Sequence, residues 1–180
     1  MTLIRLIRAS DVRSFRDALD SVCRERRSLA MLEAPPLEDV QKFVGSNIQR
    51  DLPQFVAIEG DEVVGWCDAL PGDAESGTAH IGRLGMGVRT EYRGRRIGRR
   101  LVEATIDKAK AIGLEKIELS VYASNHPAIA LYQKLGFEEE GRKKRGRLVD
   151  GIYDDVVLMA LDLKKPKTAE PASPSRGIAS

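Results

Sequence analysis

A strand that turns through a basic, glycine-bearing loop into a helix restricts what this chain can become more than any other stretch of it. Ala79–Val88 reads as the strand. Leu101, Val102, Thr105, Ile106, Ala109 and Ile112 recur at three- and four-residue spacing and define one face of a helix over Gly98–Ile112. Between them, Arg93 to Arg100 holds two glycines and five arginines. A helix N-terminus presents backbone N–H groups with no partner inside the helix, and its dipole favours negative charge. The arrangement therefore predicts an anion cradle for a phosphorylated ligand. Gly82, Gly85 and Gly87 interrupt the preceding strand. Glycine weakens a strand, so three in one run predict a bulge or the close approach of a ligand to the backbone.

Leu3–Ile7 is short, apolar and β-branched, and reads as a first strand. Ser10 is placed to cap a helix whose inner face is Val12, Phe15, Leu19 and Val22. Pro36 suits the first turn of a second helix, with Glu38 and Asp39 at the favourable end of its dipole and Leu37, Val40, Val44 and Ile48 as its stripe. Phe55–Ile58 and Val63–Trp66 read as strands joined at Gly60-Asp61. Lys116–Tyr122 alternates as a strand. Asn125-His126-Pro127 opens a helix carrying Ile129, Leu131, Tyr132 and Leu135, which Gly136 closes. Phe137–Arg142 and Val156–Leu161 are the last two strands, with Asp150-Gly151 as a hairpin signal near them. Helices interleaved with strands, around a central antiparallel meander, predict a mixed α/β sheet. The prolines Pro166, Pro171 and Pro174 set off a disordered tail over 164–180 from a folded domain over 1–163.

With 29 basic and 27 acidic groups, net charge +2, any basic function must come from local clustering. Cys23 and Cys67 match no metal spacing and read as reduced, buried thiols of a cytoplasmic protein; no metal is expected. No run approaches the roughly 18 apolar residues of a membrane helix. There is no Gly-x-x-x-x-Gly-Lys-Ser/Thr pattern and no Gly-x-Gly-x-x-Gly after a strand, which argues against nucleotide hydrolysis and a dinucleotide fold. Two basic clusters, Arg93 to Arg100 and Arg142-Lys143-Lys144-Arg145 with Arg147, raise a nucleic-acid-binding module as an alternative. Against it stand the small net charge and one Trp, four Tyr and four Phe with no basic–aromatic interleaving.

A second motif narrows the ligand. Asn125-x-x-Ala128-x-x-Leu131-Tyr132-x-x-x-Gly136-Phe137 follows Arg93-Gly94-Arg95-Arg96-Ile97-Gly98 by about thirty residues. Together they resemble the GNAT superfamily of acetyl-CoA-dependent N-acetyltransferases, whose cofactor motif runs Gln/Arg-x-x-Gly-x-Gly/Ala. The resemblance covers about residues 3 to 163. It implies a GNAT fold: a mixed, mostly antiparallel sheet of six to seven strands, splayed at the cofactor site and flanked by about four helices. It also implies acetyl-CoA as cosubstrate, held by Met86, Gly87 and Val88 along its pantetheine arm, by Arg93, Gly94, Arg95, Arg96, Ile97, Gly98 and Arg99 at its phosphates, and by Asn125. Val88 is the expected oxyanion donor through its N–H. Tyr132 is the expected general acid, protonating the leaving thiolate. The family's first motif glycine is here Arg96. Only its N–H is needed, so an arginine with an ordinary helical φ is expected to serve.

The base is open. Relatives carry a Glu on the strand before the loop, where this chain has Arg83. His80 on the same strand, Glu33 between the first two helices, and a base acting through ordered water are the alternatives. Softer likenesses around Met31-Leu32-Glu33, Val64 to Asp68 and Asp150 to Asp155 point to the small-substrate branch of the family, with Glu33 and Asp155 available to attract a cationic amine. The expected acceptor is the primary amine of an amino acid or polyamine-like molecule, attacked directly in a ternary complex. Protein N-termini or lysines, and a non-catalytic acyl-CoA sensor, are the alternatives. Homodimerisation is implied by the resemblance.

Overall fold

The computed structural model describes residues 1–164, so the expected tail lies, apart from Lys164, outside the described residues. The element order is β1 (Leu3–Leu6), α1 (Val12–Arg24), α2 (Leu37–Gln49), β2 (Gln54–Glu59), β3 (Glu62–Pro71), β4 (Ile81–Val88), α3 (Ile97–Ala111), β5 (Lys116–Tyr122), α4 (His126–Lys134), β6 (Glu138–Val149) and β7 (Ile152–Asp162). The seven strands form one sheet in the order β1-β2-β3-β4-β5-β7-β6. Every neighbouring pair is antiparallel except β4 and β5, which α3 connects as a parallel crossover. This is the mixed, mostly antiparallel α/β architecture that the sequence pattern implies. Among the described residues no helix is long and apolar enough to cross a membrane.

The sheet is covered on both faces at β3 and β4. On one face α1 and α2 bury Phe15, Val22, Val40 and Val44 against Val56, Val63 and Trp66. Phe15 meets Trp66 edge-on, ring centres 5.7 Å apart. On the other, α3 and α4 bury Leu101, Val102, Ile106 and Tyr132 against Cys67, Ala69, Val88, Ile117 and Leu119. Each fully buried aliphatic side chain contributes about 1.5–3 kcal/mol.

Three local expectations change. Ser10 does not cap α1. A 3-10 turn over Ala9–Asp11 precedes that helix, and Asp11 organises it, accepting the Arg8 N–H at 2.8 Å and both Arg5 guanidinium nitrogens at 2.6 and 2.9 Å. The glycines of β4 mark no bulge, because β3 and β4 pair without a register shift. They are filled by neighbouring protein: a Cβ at Gly87 would lie 2.3 Å from the Trp66 ring, and one at Gly82 2.9 Å from Leu114. The last strands are longer than their patterns suggested. β6 is an edge strand carrying charge rather than alternation, and two register shifts between Glu139 and Arg147 keep it on β7.

Candidate functional site

The site lies where the parallel pair comes apart. β4 and β5 pair only from Ile81↔Lys116 to Arg83↔Glu118, after which β5 continues along β7 and β4 continues along β3. Arg89 donates its N–H to Val64 O at 2.9 Å. Alternation along an antiparallel ladder then aims Gly85 and Gly87 at β3, and Met86 and Val88 at the gap. Met86 offers both its N–H and its C=O to that gap. The Val88 carbonyl accepts from Arg93 Nε at 2.8 Å, which leaves its N–H open.

The loop after β4 continues this open edge into a cradle. Arg93 donates its N–H to Thr90 O at 3.2 Å, and the first α3 donor is Arg100, to Arg96 O at 3.2 Å. Between them the six N–H groups of Gly94 to Arg99 meet no acceptor among the described residues. The expected run started one residue early, at Arg93. Gly94 has φ +75° and Arg96 φ +60°, ψ +12°. Left-handed residues within such a loop curve successive N–H groups toward one concave surface. The ordinary helical φ expected for Arg96 is therefore wrong. It stands in the left-handed region at the N-cap of α3, a conformation that costs an L-residue roughly 1–2 kcal/mol and glycine nothing. The motif glycine is a conformational preference of this turn, and Arg96 meets it under strain with its N–H still free. Gly98 serves another purpose. A Cβ there would sit 3.1 Å from Met86 Cε and 3.5 Å from Leu131, so its absence seats the start of α3 against β4 and α4.

Most of the arginines hold the loop together. Arg93 binds Val88 O and, at 2.7 Å, Glu25 on the end of α1. Arg95 donates to Glu91 O and lies over the Tyr92 ring. Arg99 pairs with Glu103, and Arg100 reaches Thr2 O. Arg96 alone among the five has no side-chain partner among the described residues, and it is exposed. The second basic cluster is also engaged internally: Arg145 stacks on Tyr153, and Arg147 covers Tyr122 while donating to the carbonyls of Arg26 and Leu29. Arg26 in turn grips Asp150 at 2.7 and 2.9 Å, so the β6–β7 hairpin is clamped to the segment following α1.

Tyr132 lies under the open edge, in one buried cluster with Cys67, Val88 and Phe137. Its ring centre is 5.6 Å from that of Phe137. Burial, with the Cys67 thiol close by, holds the phenol well above its ordinary pKa, so it is protonated throughout the neutral range. Asn125 follows the end of β5 and caps α4, its Oδ1 accepting the Ala128 N–H at 3.4 Å; its amide NH2 remains available. Glu33 is exposed, 4.0 Å from Arg24 near the end of α1. His80 is not at the site: it precedes β4, where its carbonyl receives Glu115 and Lys116, and eight strand residues separate it from Val88 by about 26 Å. Asp155 is engaged within the β6–β7 hairpin by the Arg145 N–H at 2.8 Å. An open depression lined by Arg50, Pro71, Asp73 and Leu114 lies at this same far end.

Sequence reasoning passed over Asp68 as a reactive group. β3 runs five residues further than its apolar pattern suggested and carries Asp68 in mid-strand, on the Trp66 face, opposite Gly85 and with Gln54 on its other side. It is 9% exposed, and burial pushes it up to about 7, against the Gly85 N–H, which lowers it. An acid two residues from a core tryptophan on the same strand face was the available signal.

The acetyltransferase (GNAT) family model matches residues 17–137. The chain is 31% identical to the L-amino acid N-acetyltransferase AaaT of Escherichia coli over 61% of this chain and 67% of that one. It is 28% identical to an L-methionine sulfoximine/L-methionine sulfone acetyltransferase of Pseudomonas aeruginosa, over 74% and 78%. Among solved structures it superposes with TM-score 0.85 on yncA, a putative acetyltransferase of Salmonella typhimurium solved with its cofactor acetyl-CoA, at 18% identity over 96% of this chain and 99% of that one.

Proposed function

Because this chain belongs to the acetyltransferase (GNAT) family, we propose that it moves the acetyl group of acetyl-CoA to the primary amine of a small, amino-acid- or polyamine-like molecule, by direct attack in a ternary complex. One observation carries the reading: six free backbone donors and an unpaired strand edge run on from one another, with a buried phenol beneath them. A diphosphate joined to an uncharged, amide-bearing arm has the chemistry to use both parts.

The N–H groups of Gly94 to Arg99, at the positive end of the α3 dipole, hold the diphosphate, and the Arg96 guanidinium adds charge from the rim. Met86 pairs with the arm as a neighbouring strand would. The Val88 N–H steadies the oxyanion formed on attack, an effect worth about 3–4 kcal/mol where a single such donor has been removed in other enzymes. Tyr132 gives its proton to the departing sulfur, and Asn125 contacts the arm from the end of β5. Glu33, exposed beside Arg24, draws in a cationic acceptor. The amino-acid derivatives in the names of two relatives favour an acceptor of that size. The exposed Leu148, Ile152 and Tyr153 on the β6–β7 hairpin give a second copy an apolar surface for a homodimer.

Titration calorimetry with acetyl-CoA, followed by thiol release across a panel of amino acids, polyamines and N-terminal peptides, tests the reading. Binding with turnover on free amino acids or polyamines supports it. Binding without turnover on any amine reduces the protein to an acyl-CoA sensor, and preference for peptides moves it to the protein-acetylating branch.

A further inference from the structure

Resting on the acetyltransferase reading above, we propose that Asp68 on β3 accepts the proton of the attacking amine, across the side-chain-free surface of Gly85. Trp66 and Asp68 share one face of β3, and both lie against glycines of β4: a Cβ at Gly85 would be 3.3 Å from Asp68 Oδ1, as one at Gly87 would be 2.3 Å from Trp66. The carboxylate therefore reaches over β4 to within one residue of Met86, whose N–H and C=O open the gap beside the cradle. No ion pair holds it among the described residues, so it is not a member of the salt-bridge framework that occupies the other acids around the site.

Asp68 is also on the useful side of the sheet. Register places Arg83, Gly85 and Gly87 of β4 on its face, with Glu118, Ser120 and Tyr122 of β5 across the gap. The face of β4 and β5 opposite to Tyr132 is thus where an acceptor meets a thioester laid along Met86 and Val88. One proton is taken from the amine on one side of the gap, by Asp68, and another is given to sulfur from the other side, by Tyr132. Of the groups that face this region, Glu118 is tied to Lys116 at 2.8 Å, Arg83 is exposed, and Gln54 of β2 is turned to Asn47 of α2, with its Nε2 buried and unpartnered beside Asp68. The sequence has an arginine at the position on β4 where relatives carry Glu; here the neighbouring strand supplies the carboxylate to the same face.

Asp68 takes one proton from the ammonium, freeing the nitrogen lone pair. That pair attacks the thioester carbon, forming the C–N bond as the carbonyl π electrons move to oxygen, and the C–S bond breaks when the adduct collapses. Tyr132 protonates the departing sulfur, the second N–H proton leaves the adduct through solvent and restores the Tyr132 phenol, and Asp68 releases its own proton to solvent after product leaves. A group charged only above about pH 7 is matched to this task at neutral pH.

The test uses the full chain, acetyl-CoA and the best amine of the panel. Asp68→Asn is expected to lower kcat/KM about 10²–10³-fold at pH 7. Acetyl-CoA affinity should stay within about twofold, and the residual rate should climb with pH as the free amine becomes abundant. Wild-type kcat/KM is expected to show a limb near pH 7 that the variant lacks. Turnover by Asp68→Asn within about threefold of wild type, with the limb intact, overturns the assignment alone. Should the variant fail to fold, the wild-type profile decides: absence of a limb between about pH 6 and 8 overturns it equally. A wild type that binds acetyl-CoA but acetylates no amine overturns the functional reading and the assignment with it.

Discussion

Arg96→Gly and Arg96→Ala separate two roles that one side chain combines. Arg96 holds φ +60° at the N-cap of α3. That conformation costs an L-residue roughly 1–2 kcal/mol, whereas glycine adopts it freely but loses about 0.5–1 kcal/mol more chain entropy on folding. Arg96→Gly is thus expected to stabilise the free protein by about 0.5–1 kcal/mol, and a gain of 1 kcal/mol raises Tm by roughly 2–4 °C in a chain of this size. Arg96→Ala keeps the left-handed cost and is expected to leave stability within about 0.5 kcal/mol of wild type. Both variants lose the one unpaired guanidinium of the loop. An exposed charge pair is worth about 0.2–1 kcal/mol, so both should bind coenzyme A up to about fivefold more weakly, a difference that fades near 1 M salt. Chemical denaturation and calorimetry read the two quantities separately. A glycine variant no more stable than the alanine variant would refute the strain argument. A glycine variant that binds more tightly than wild type would show that the arginine obstructs the phosphates.

Further outcomes follow from the same geometry. Gly87→Ala drives a methyl into the Trp66 ring and is expected to destabilise by about 1–3 kcal/mol, measured by urea unfolding. Tyr132→Phe should bind acetyl-CoA as wild type does while kcat falls about 10²-fold or more; full turnover would remove Tyr132 from proton transfer. Asp68 has its folded pKa raised from 3.8 to about 7, so the unfolded chain ionises first and stability falls as pH rises through that window, by up to about 4 kcal/mol. Asp68→Asn should lack this decline between about pH 4 and 7, and equal declines in both proteins would show that the carboxyl is not held neutral.

What could be read from the sequence was local. The helical face of α3, the alternation of Lys116–Tyr122 and the turn at Gly60-Asp61 each depend on residues a few positions apart, and the element order built from them places the sheet correctly. The cradle and Tyr132 were legible because glycine punctuation and motif spacing lie along one segment. Two differences between pattern and structure arise from the neighbouring strand. The three glycines of β4 predict a bulge or a ligand close to the backbone, whereas at Gly85 and Gly87 it is Asp68 and Trp66 that fill the space from across the ladder. Asp68 escaped notice because its meaning depends on Gly85, seventeen positions away. Arg96 was misread because substitution at a glycine position does not show whether the site required the residue's φ or only its N–H. Charge on β6 hid its length, since an edge strand is not obliged to alternate.

The brevity of the β4–β5 pairing reaches beyond the placing of a ligand. β2 to β4 form an antiparallel meander with β1 on its outer edge, β5 to β7 form another block, and within the sheet itself three residue pairs join the two. The seam is the natural line along which this protein loosens. Amide exchange at Met86 and Val88 should run faster than at Gly85 and Gly87, which are bonded to β3. A molecule bridging the gap would act as the missing rung, slowing that exchange and coupling two blocks that otherwise open with some independence. Cofactor occupancy would then set the protein's mechanical integrity as well as its readiness to react.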